Sequence, residues 1–219
     1  MTKKSFRAPD AYPMGLLLAF VGGYLDAYTY IMRDRVFANA QTGNMALMAL
    51  RLAEGRWLEA LHYLIPISAF ALGIFLVREL RHHLRQKSFD HHRTALALEI
   101  LILTGVSFIP QGSLNDLANV LVSVACALQV GAFKTISGQA YASTMCTGNL
   151  RSATEHLHDY IKSKNPASCA RSLQYLGIIL IFILGALTGG LITPPLGVMS
   201  TLVCCALLLF ALLMIRPAQ

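Results

Sequence analysis

The sequence predicts an all-α integral membrane protein, with six transmembrane helices arranged as two inverted repeats of three. The first observation behind this prediction is composition. Of the 219 residues, 55% are hydrophobic and 13% are charged, against about 25% charged in an ordinary soluble domain. So few charges cannot cover so large an apolar fraction, which excludes a disordered chain and argues against a water-soluble one. The other two observations are a series of long apolar stretches and a motif that occurs twice.

Six apolar stretches approach the ~20 residues that cross a bilayer core: residues 12–32, 58–80, 95–109, 114–133, 173–191 and 198–215. The alternative, buried helices of a soluble bundle, requires charged outer faces that these stretches lack. Basic residues before the first stretch are also typical of a signal peptide. That stretch is too long for one, and Asp26 interrupts it, so we expect a retained helix. The whole chain, 1–219, is predicted to form a single membrane domain in the lipid bilayer.

The positions of the basic residues predict the orientation. The net charge of +7 suggests a nucleic-acid partner, but in a membrane protein the positive-inside rule accounts for it. If the N-terminus is cytoplasmic and six helices alternate, all but four of the 18 Lys and Arg residues lie inside. The exceptions are Arg33, Arg35, Arg51 and Arg56. We therefore expect both termini in the cytoplasm and no nucleic acid. This result requires that the segments around Thr42 and Thr147 do not cross the membrane.

Those two segments belong to an internal repeat. A shift of 105 positions places Thr42-Gly43-Asn44 on Thr147-Gly148-Asn149 without a gap. The first repeat covers about 12–110 and the second about 114–216, with three crossings in each. Because three is an odd number, the two repeats insert with opposite orientations. Inverted repeats are typical of transporters, whose binding site lies near the midplane between the halves.

The repeated motif has the composition of a helix start. The threonine hydroxyl can cap exposed backbone N–H groups, glycine permits close approach of a ligand, and asparagine both donates and accepts. Each motif is therefore predicted to begin a re-entrant or half-helix segment whose positive dipole end points into the protein. Two such ends facing each other would bind an anion or a polar solute. The alternative is a packing turn in which threonine and asparagine bond to local backbone.

The motifs also resemble a known family. Gly22-Gly23-Tyr24-Leu25-Asp26-Ala27, Val36-Phe37-Ala38-Asn39 and Thr42-Gly43-Asn44 are similar to the opening signature of the YoaK family, a group of small multispanning bacterial membrane proteins with a domain of unknown function. Gln129 matches the glutamine of that family's fourth helix, whereas Ala127 stands where we expect glycine. The resemblance implies a bacterial inner-membrane protein of six or seven helices. It implies no function.

The candidate substrate-binding residues are the polar groups within or beside the apolar stretches: Asp26, Asn39, Thr42, Gly43, Asn44, Gln129, Thr147, Gly148 and Asn149. A carboxylate such as Asp26 is costly within a membrane and usually faces the bundle interior. It is a candidate for coupling transport to a proton or Na⁺. The alternative is a structural hydrogen bond, or a pair with Arg33 or Arg35. Glu99 is predicted to lie near the interface and to snorkel or pair with a basic residue.

Enzyme and metal chemistry are not expected. The sequence contains no G-x-S-x-G, H-E-x-x-H or P-loop pattern. The five cysteines have no metal-ligand spacing, and no acidic or Cys set completes a site with the paired histidines. We therefore expect no metal and no cofactor. Small residues four apart, Ala69 with Gly73 and Gly185 with Gly189, predict close helix contacts within one chain or in a homodimer.

These observations favour a secondary transporter or channel-like permease for a small solute or ion, with an anionic solute weakly preferred. The main alternative is a structural or assembly component of a larger membrane complex, which nothing in the sequence excludes. An intramembrane enzyme is the least favoured class.

Overall fold

The computed structural model describes residues 11–86, 90–136, 139–140 and 146–215. Within these ranges the chain is almost entirely helical, as predicted. The eight α-helices are α1 (Tyr12–Met32), α2 (Gln41–Ala53), α3 (Trp57–Gln86), α4 (His91–Val106), α5 (Asn115–Ala132), α6 (Cys146–Ser163), α7 (Pro166–Leu196) and α8 (Thr201–Met214). A short 3₁₀ turn, Gly197–Ser200, joins α7 to α8. The two-residue strands β1 (Thr135–Ile136) and β2 (Gln139–Ala140) pair antiparallel between α5 and α6.

Four helical runs in the described residues are long and apolar enough to cross a membrane: Tyr12–Met32, Trp57–His83, Asn115–Ala132 and Pro166–Met214. The last run contains both α7 and α8, which Pro194, Pro195 and a glycine at positive φ, Gly197, separate. The predicted third stretch is the helix α4, whose 16 residues extend about 24 Å. That length is short of the ~30 Å hydrocarbon core, so α4 is not one of the four.

The helices pack as interlocking pairs. The most extensive packing joins α1 to α7 and α3 to α5. The helix α2 packs on α3, and α6 packs on α7. The helices α4 and α8 pack on each other; α4 also contacts α5, and α8 also contacts α1. Large apolar side chains on the outer faces of α3 and α7 remain exposed, among them Leu58 at 84% and Leu191 at 69%. Such faces suit a lipid environment, since water would make this exposure costly.

Glycines allow the two long pairs to approach closely. A Cβ added at Gly23 would collide with the carbonyl oxygen of Phe182 on α7, and one at Gly185 with the carbonyl oxygen of Phe20 on α1. In the other pair, a Cβ on Gly73 would lie 2.6 Å from that of Ala127. The small residues that the sequence singled out are therefore used in contacts within one chain. They are not left free for a homodimer, which remains an untested prediction.

A charged cluster closes the connection between α2 and α3. Arg51 donates to Glu54 at 2.7 Å, and Arg56 donates to Glu59 at 2.8 Å. The hydrogen bond from Arg51, followed by that from Arg56, holds the pKa of Glu54 below its usual range. These side chains are exposed, so the cluster adds little stability. It marks the end of α2 that faces solvent.

Candidate functional site

The chain between α1 and α2 returns to the middle of α1. The Asn39 side-chain amide donates to the carbonyl oxygen of Gly22 at 3.2 Å. Gly22 lies ten residues before Met32, the end of α1, which corresponds to about 15 Å along the helix axis. The helix α2 therefore begins beside the midpoint of α1. From there it runs towards the level of Met32, the C-terminal end of α1.

Asp26 lies at the start of α2. Its Oδ1 accepts a hydrogen bond of 2.7 Å from the backbone N–H of Asn39, and the N–H groups of Ala38 and Ala40 also point at the carboxylate. The side chain is 5% exposed. A helix N-terminus carries a partial positive charge and unpaired N–H groups, so Asp26 supplies the anion that this helix end attracts. The alternative pairing of Asp26 with Arg33 or Arg35 is wrong.

The Thr42-Gly43-Asn44 motif holds the connection to its helix. Asn44 is fully buried; its Nδ2 donates to the carbonyl oxygen of Phe37 at 2.7 Å, and its Oδ1 accepts from the Phe37 N–H at 3.0 Å. Gly43 packs against the Phe37 ring, 3.1 Å from where a Cβ would lie. Thr42 is exposed, and the N-cap of α2 is Ala40 without a side-chain bond. The prediction that threonine caps this helix is wrong, because the helix begins at Gln41, two residues before the start that a Thr42 cap would give.

The second motif lies in the same place on α6. Thr147 and Gly148 are exposed, and Asn149 is buried. In the first motif, Thr42 is likewise exposed and Asn44 is likewise buried. Asn149 also has a bonding partner. Residues 141–145, which lead into the motif, lie outside the described residues. Cys146 begins α6, and its thiol interacts electrostatically with the Asp26 carboxylate. The N-terminus of α6 therefore approaches the same carboxylate as the N-terminus of α2.

Gln129 and Cys126 bring α5 to this centre. The Gln129 amide donates to the carbonyl oxygen of Leu18 at 3.1 Å, two turns before Asp26 on α1. One turn from Gln129, the buried thiol of Cys126 interacts with Asp26, with Asn39 and with Glu99 on α4. Hydrogen bonds and electrostatic interactions thus link polar residues of α1, α4, α5 and the starts of α2 and α6 into one cluster.

Glu99 is not at the interface, and the prediction that it snorkels or pairs with a basic residue is wrong. The side chain is fully buried, and neither carboxyl oxygen has a hydrogen-bond partner among the described residues. Its position follows from helical spacing. The buried Leu96 and Leu103 stand three residues before and four residues after it, so all three lie on one face of α4. That periodicity was a signal in the sequence, and it outweighs the short distance along the chain to Arg93.

Arg33 is a second buried charge that the sequence did not indicate. It is fully buried, and its guanidinium donates to the carbonyl oxygens of Val106, Ile109 and Pro110 at the end of α4. It also donates to Asn115 Oδ1 at 2.9 Å and to the Tyr28 hydroxyl at 3.0 Å. All five N–H donors are thus used, next to the negative end of the α4 dipole. Arg33 joins helices and has no donor left for a solute.

One group of possible metal ligands occurs in the described residues. Donor atoms of Asp90, His91 and His92 lie within 4.8 Å of one another at the start of α4. The Asp90 carboxylate accepts a bond of 2.9 Å from the backbone N–H of His92, which makes it the N-cap of this helix. A structural role therefore accounts for Asp90.

Comparisons with known proteins agree with this architecture. A family model described as a protein of unknown function, DUF1275, matches residues 14–215. A transmembrane protein of Bacillus subtilis (strain 168), the UPF0700 transmembrane protein YoaK, is 26% identical over 185 residues, which cover 81% of this chain and 82% of that protein. No solved structure matches.

Proposed function

Because this chain belongs to the DUF1275 family of membrane proteins of unknown function, we propose a role for it from its geometry: it is a secondary transporter for a small solute. One observation carries the proposal. The buried carboxylate of Asp26, six residues before the end of α1, accepts a hydrogen bond from the start of α2, and Cys146 at the start of α6 interacts with it electrostatically. Helix ends that meet at membrane depth are typical of transporter binding sites.

In the proposed arrangement, six helices cross a bacterial inner membrane as an inverted repeat, and α2 and α6 are re-entrant segments. Both termini lie on the cytoplasmic side. Two features support it. The first residues of α2 and α6, Gln41 and Cys146, are separated by the repeat shift of 105. Under the same shift, the packing of α1 on α7 corresponds to the packing of α5 on α3, and both contacts are extensive.

The charges of the cluster favour a neutral or cationic solute over the anionic one that the sequence weakly preferred. Asp26 already occupies the positive end of α2, so an arriving anion would meet a carboxylate. A cation or a hydrogen-bond donor would meet an attractive partner. Asn39 and Gln129 line the same centre with amide groups. Asn149 is buried in the first turn of α6, at the position that corresponds to Asn44 in α2.

Ligand-induced thermal stabilisation of the purified protein tests the proposal, using amines, neutral polar metabolites and organic anions as probes. A solute at 100 times its Kd raises the free energy of unfolding by about 2.7 kcal/mol. We expect this shift with an amine or neutral probe. It disappears in Asp26→Asn, which keeps an acceptor for the Asn39 N–H. The control Asp159→Asn changes an exposed carboxylate and retains the shift.

Two results would contradict the proposal. A shift that survives in Asp26→Asn places the binding site elsewhere in the molecule. The absence of a shift with all three probe classes, in protein whose unfolding remains cooperative, removes the basis for a central solute site.

A further inference from the structure

Glu99 is a buried acid without the groups that normally stabilise a charge. Among the described residues, thiols of two neighbouring helices interact with it: Cys126 from α5, and Cys204 and Cys205 from α8. Arg93, on the same helix, instead donates to carbonyl oxygens at the end of α8. No Lys, Arg or His in the described residues forms an ion pair with Glu99. An ionised carboxylate is costly in such a place, which favours the neutral acid.

Buried polar residues form a stripe along α5, from Cys126, which interacts with Glu99, to the N-terminal end of α5, near the last turn of α4. Asn115, Asn119, Ser123 and Cys126 are spaced by three or four residues and all are buried, so they share one face. The stripe is about 16 Å long. At its far end the Asn115 amide donates to the exposed Asp34 at 2.9 Å, which connects the stripe to solvent.

The middle of the stripe has unused hydrogen-bonding capacity. Asn119 Oδ1 and Ser123 Oγ are buried, and neither has a partner among the described residues. Asn119 Nδ2, by contrast, donates to the Arg33 carbonyl oxygen at 3.0 Å. Buried polar atoms without partners are rare and costly in apolar surroundings. Here they occur at consecutive turns of one helix, between a solvent-exposed carboxylate and a buried acid.

We propose that Glu99 is a proton-binding site that exchanges its proton with solvent along the Asn115–Cys126 face of α5. Asp26 differs from Glu99 in that it accepts hydrogen bonds from the N–H groups at the start of α2. If the proposed transport function holds, Glu99 is the coupling site and the coupling ion is a proton.

Infrared spectra of the reconstituted full-length protein, compared between the parent and its variants, test the protonation of Glu99 without any solute. At neutral pH we expect a carbonyl stretching band of a protonated carboxylic acid. The band is weaker in Glu99→Gln and unchanged in Glu155→Gln, where the glutamate is exposed. Because Gln copies the neutral acid, the melting temperature of Glu99→Gln equals that of the parent. A band of unchanged intensity in Glu99→Gln, or the absence of the band from the parent, overturns the proposal.

The route is tested by transfer into D₂O. The band is expected to shift while the amide N–H groups of the helices remain unexchanged. We expect the shift to be about tenfold slower in Ser123→Ala, and unchanged in Ser68→Ala, which alters an exposed serine on α3. A band that shifts only together with the amide groups shows a structural acid and overturns the route.

The two proposals fail separately. An exchanging Glu99 band in a protein that binds no solute keeps the proton site and contradicts the transporter. A solute-induced thermal shift that depends on Asp26, in a protein whose Glu99 is ionised, supports the transporter and contradicts the proton site.

Discussion

Single polar residues in this protein satisfy backbone groups that the membrane would otherwise leave unpaired. Asn44 bonds both the N–H and the carbonyl of Phe37, and Arg33 binds the carbonyl oxygens at the end of α4. Each unpaired group in an apolar medium costs free energy, because no water replaces the lost partner. Asn44 thus acts on the connection between α1 and α2, as in the packing-turn alternative. The connection in turn places Asn39 against Asp26.

We predict that Asn44→Ala lowers the free energy of unfolding by about 1–3 kcal/mol, since it leaves two backbone groups of Phe37 without their partner. The control Thr42→Ala changes an exposed residue of the same turn and stays within about 0.5 kcal/mol of the parent. Denaturant-induced unfolding in detergent measures both. Equal effects of the two substitutions would show that the Asn44 bonds do not hold the connection.

The polar residues differ in how far the sequence predicted them. It identified Asp26, Gln129 and the asparagines as inward-facing, because a polar group within an apolar stretch has few other options. It could not show that Asp26 faces the start of its own re-entering segment, since that contact depends on the path of residues 34–40. Arg33 was missed because it follows the last residue of α1, where helical spacing gives no direction.

At the scale of helices, close packing depends on glycine at a few positions. Gly23, Gly185 and Gly189 bring the backbones of α1 and α7 together, and Gly73 does the same for α3 on α5. Without a hydrophobic force between helices in lipid, such close contacts are a main source of association. The small-residue spacing predicted these contacts. The partner helix in each case was decided by the fold.

We expect Gly185→Ala to destabilise the protein by about 1–3 kcal/mol, because the new methyl group overlaps the Phe20 carbonyl oxygen. Gly190→Ala, on the same helix, meets no atom within 4 Å and is neutral or stabilising, by up to about 1 kcal/mol. Thermal unfolding of the two variants gives the comparison. If Gly185→Ala were as stable as Gly190→Ala, α1 and α7 would not be in backbone contact.

The molecule as a whole places its charges at the ends of the helices and its polar cluster between them. The loop from α4 to α5 contains no Lys or Arg, whereas the segment after α3 is basic. From this difference the positive-inside rule predicts that the loop lies outside and the basic segment inside. Lys3, Lys4, Arg7, Lys87 and Arg216 contribute to this pattern but lie outside the described residues.

Cysteine labelling in whole cells checks this orientation, in a background in which the five native cysteines are replaced. We predict that an impermeant maleimide labels Gln111→Cys, in the exposed loop after α4. It labels Gln86→Cys, at the end of α3, only after the membrane is permeabilised. Labelling of Gln86→Cys in intact cells would reverse the predicted orientation.

The membrane class, the approximate positions of the helices and the family follow from the amino-acid sequence alone, because hydrophobic length and local motifs are encoded residue by residue. The tertiary structure decided which groups meet. It brought Asp26 to the start of α2, buried Glu99 among thiols and used Arg33 to close α4. The physical reason is that these contacts join residues of different helices and connections, and their energies depend on burial and on available partners. Neither property is defined until the helices have packed.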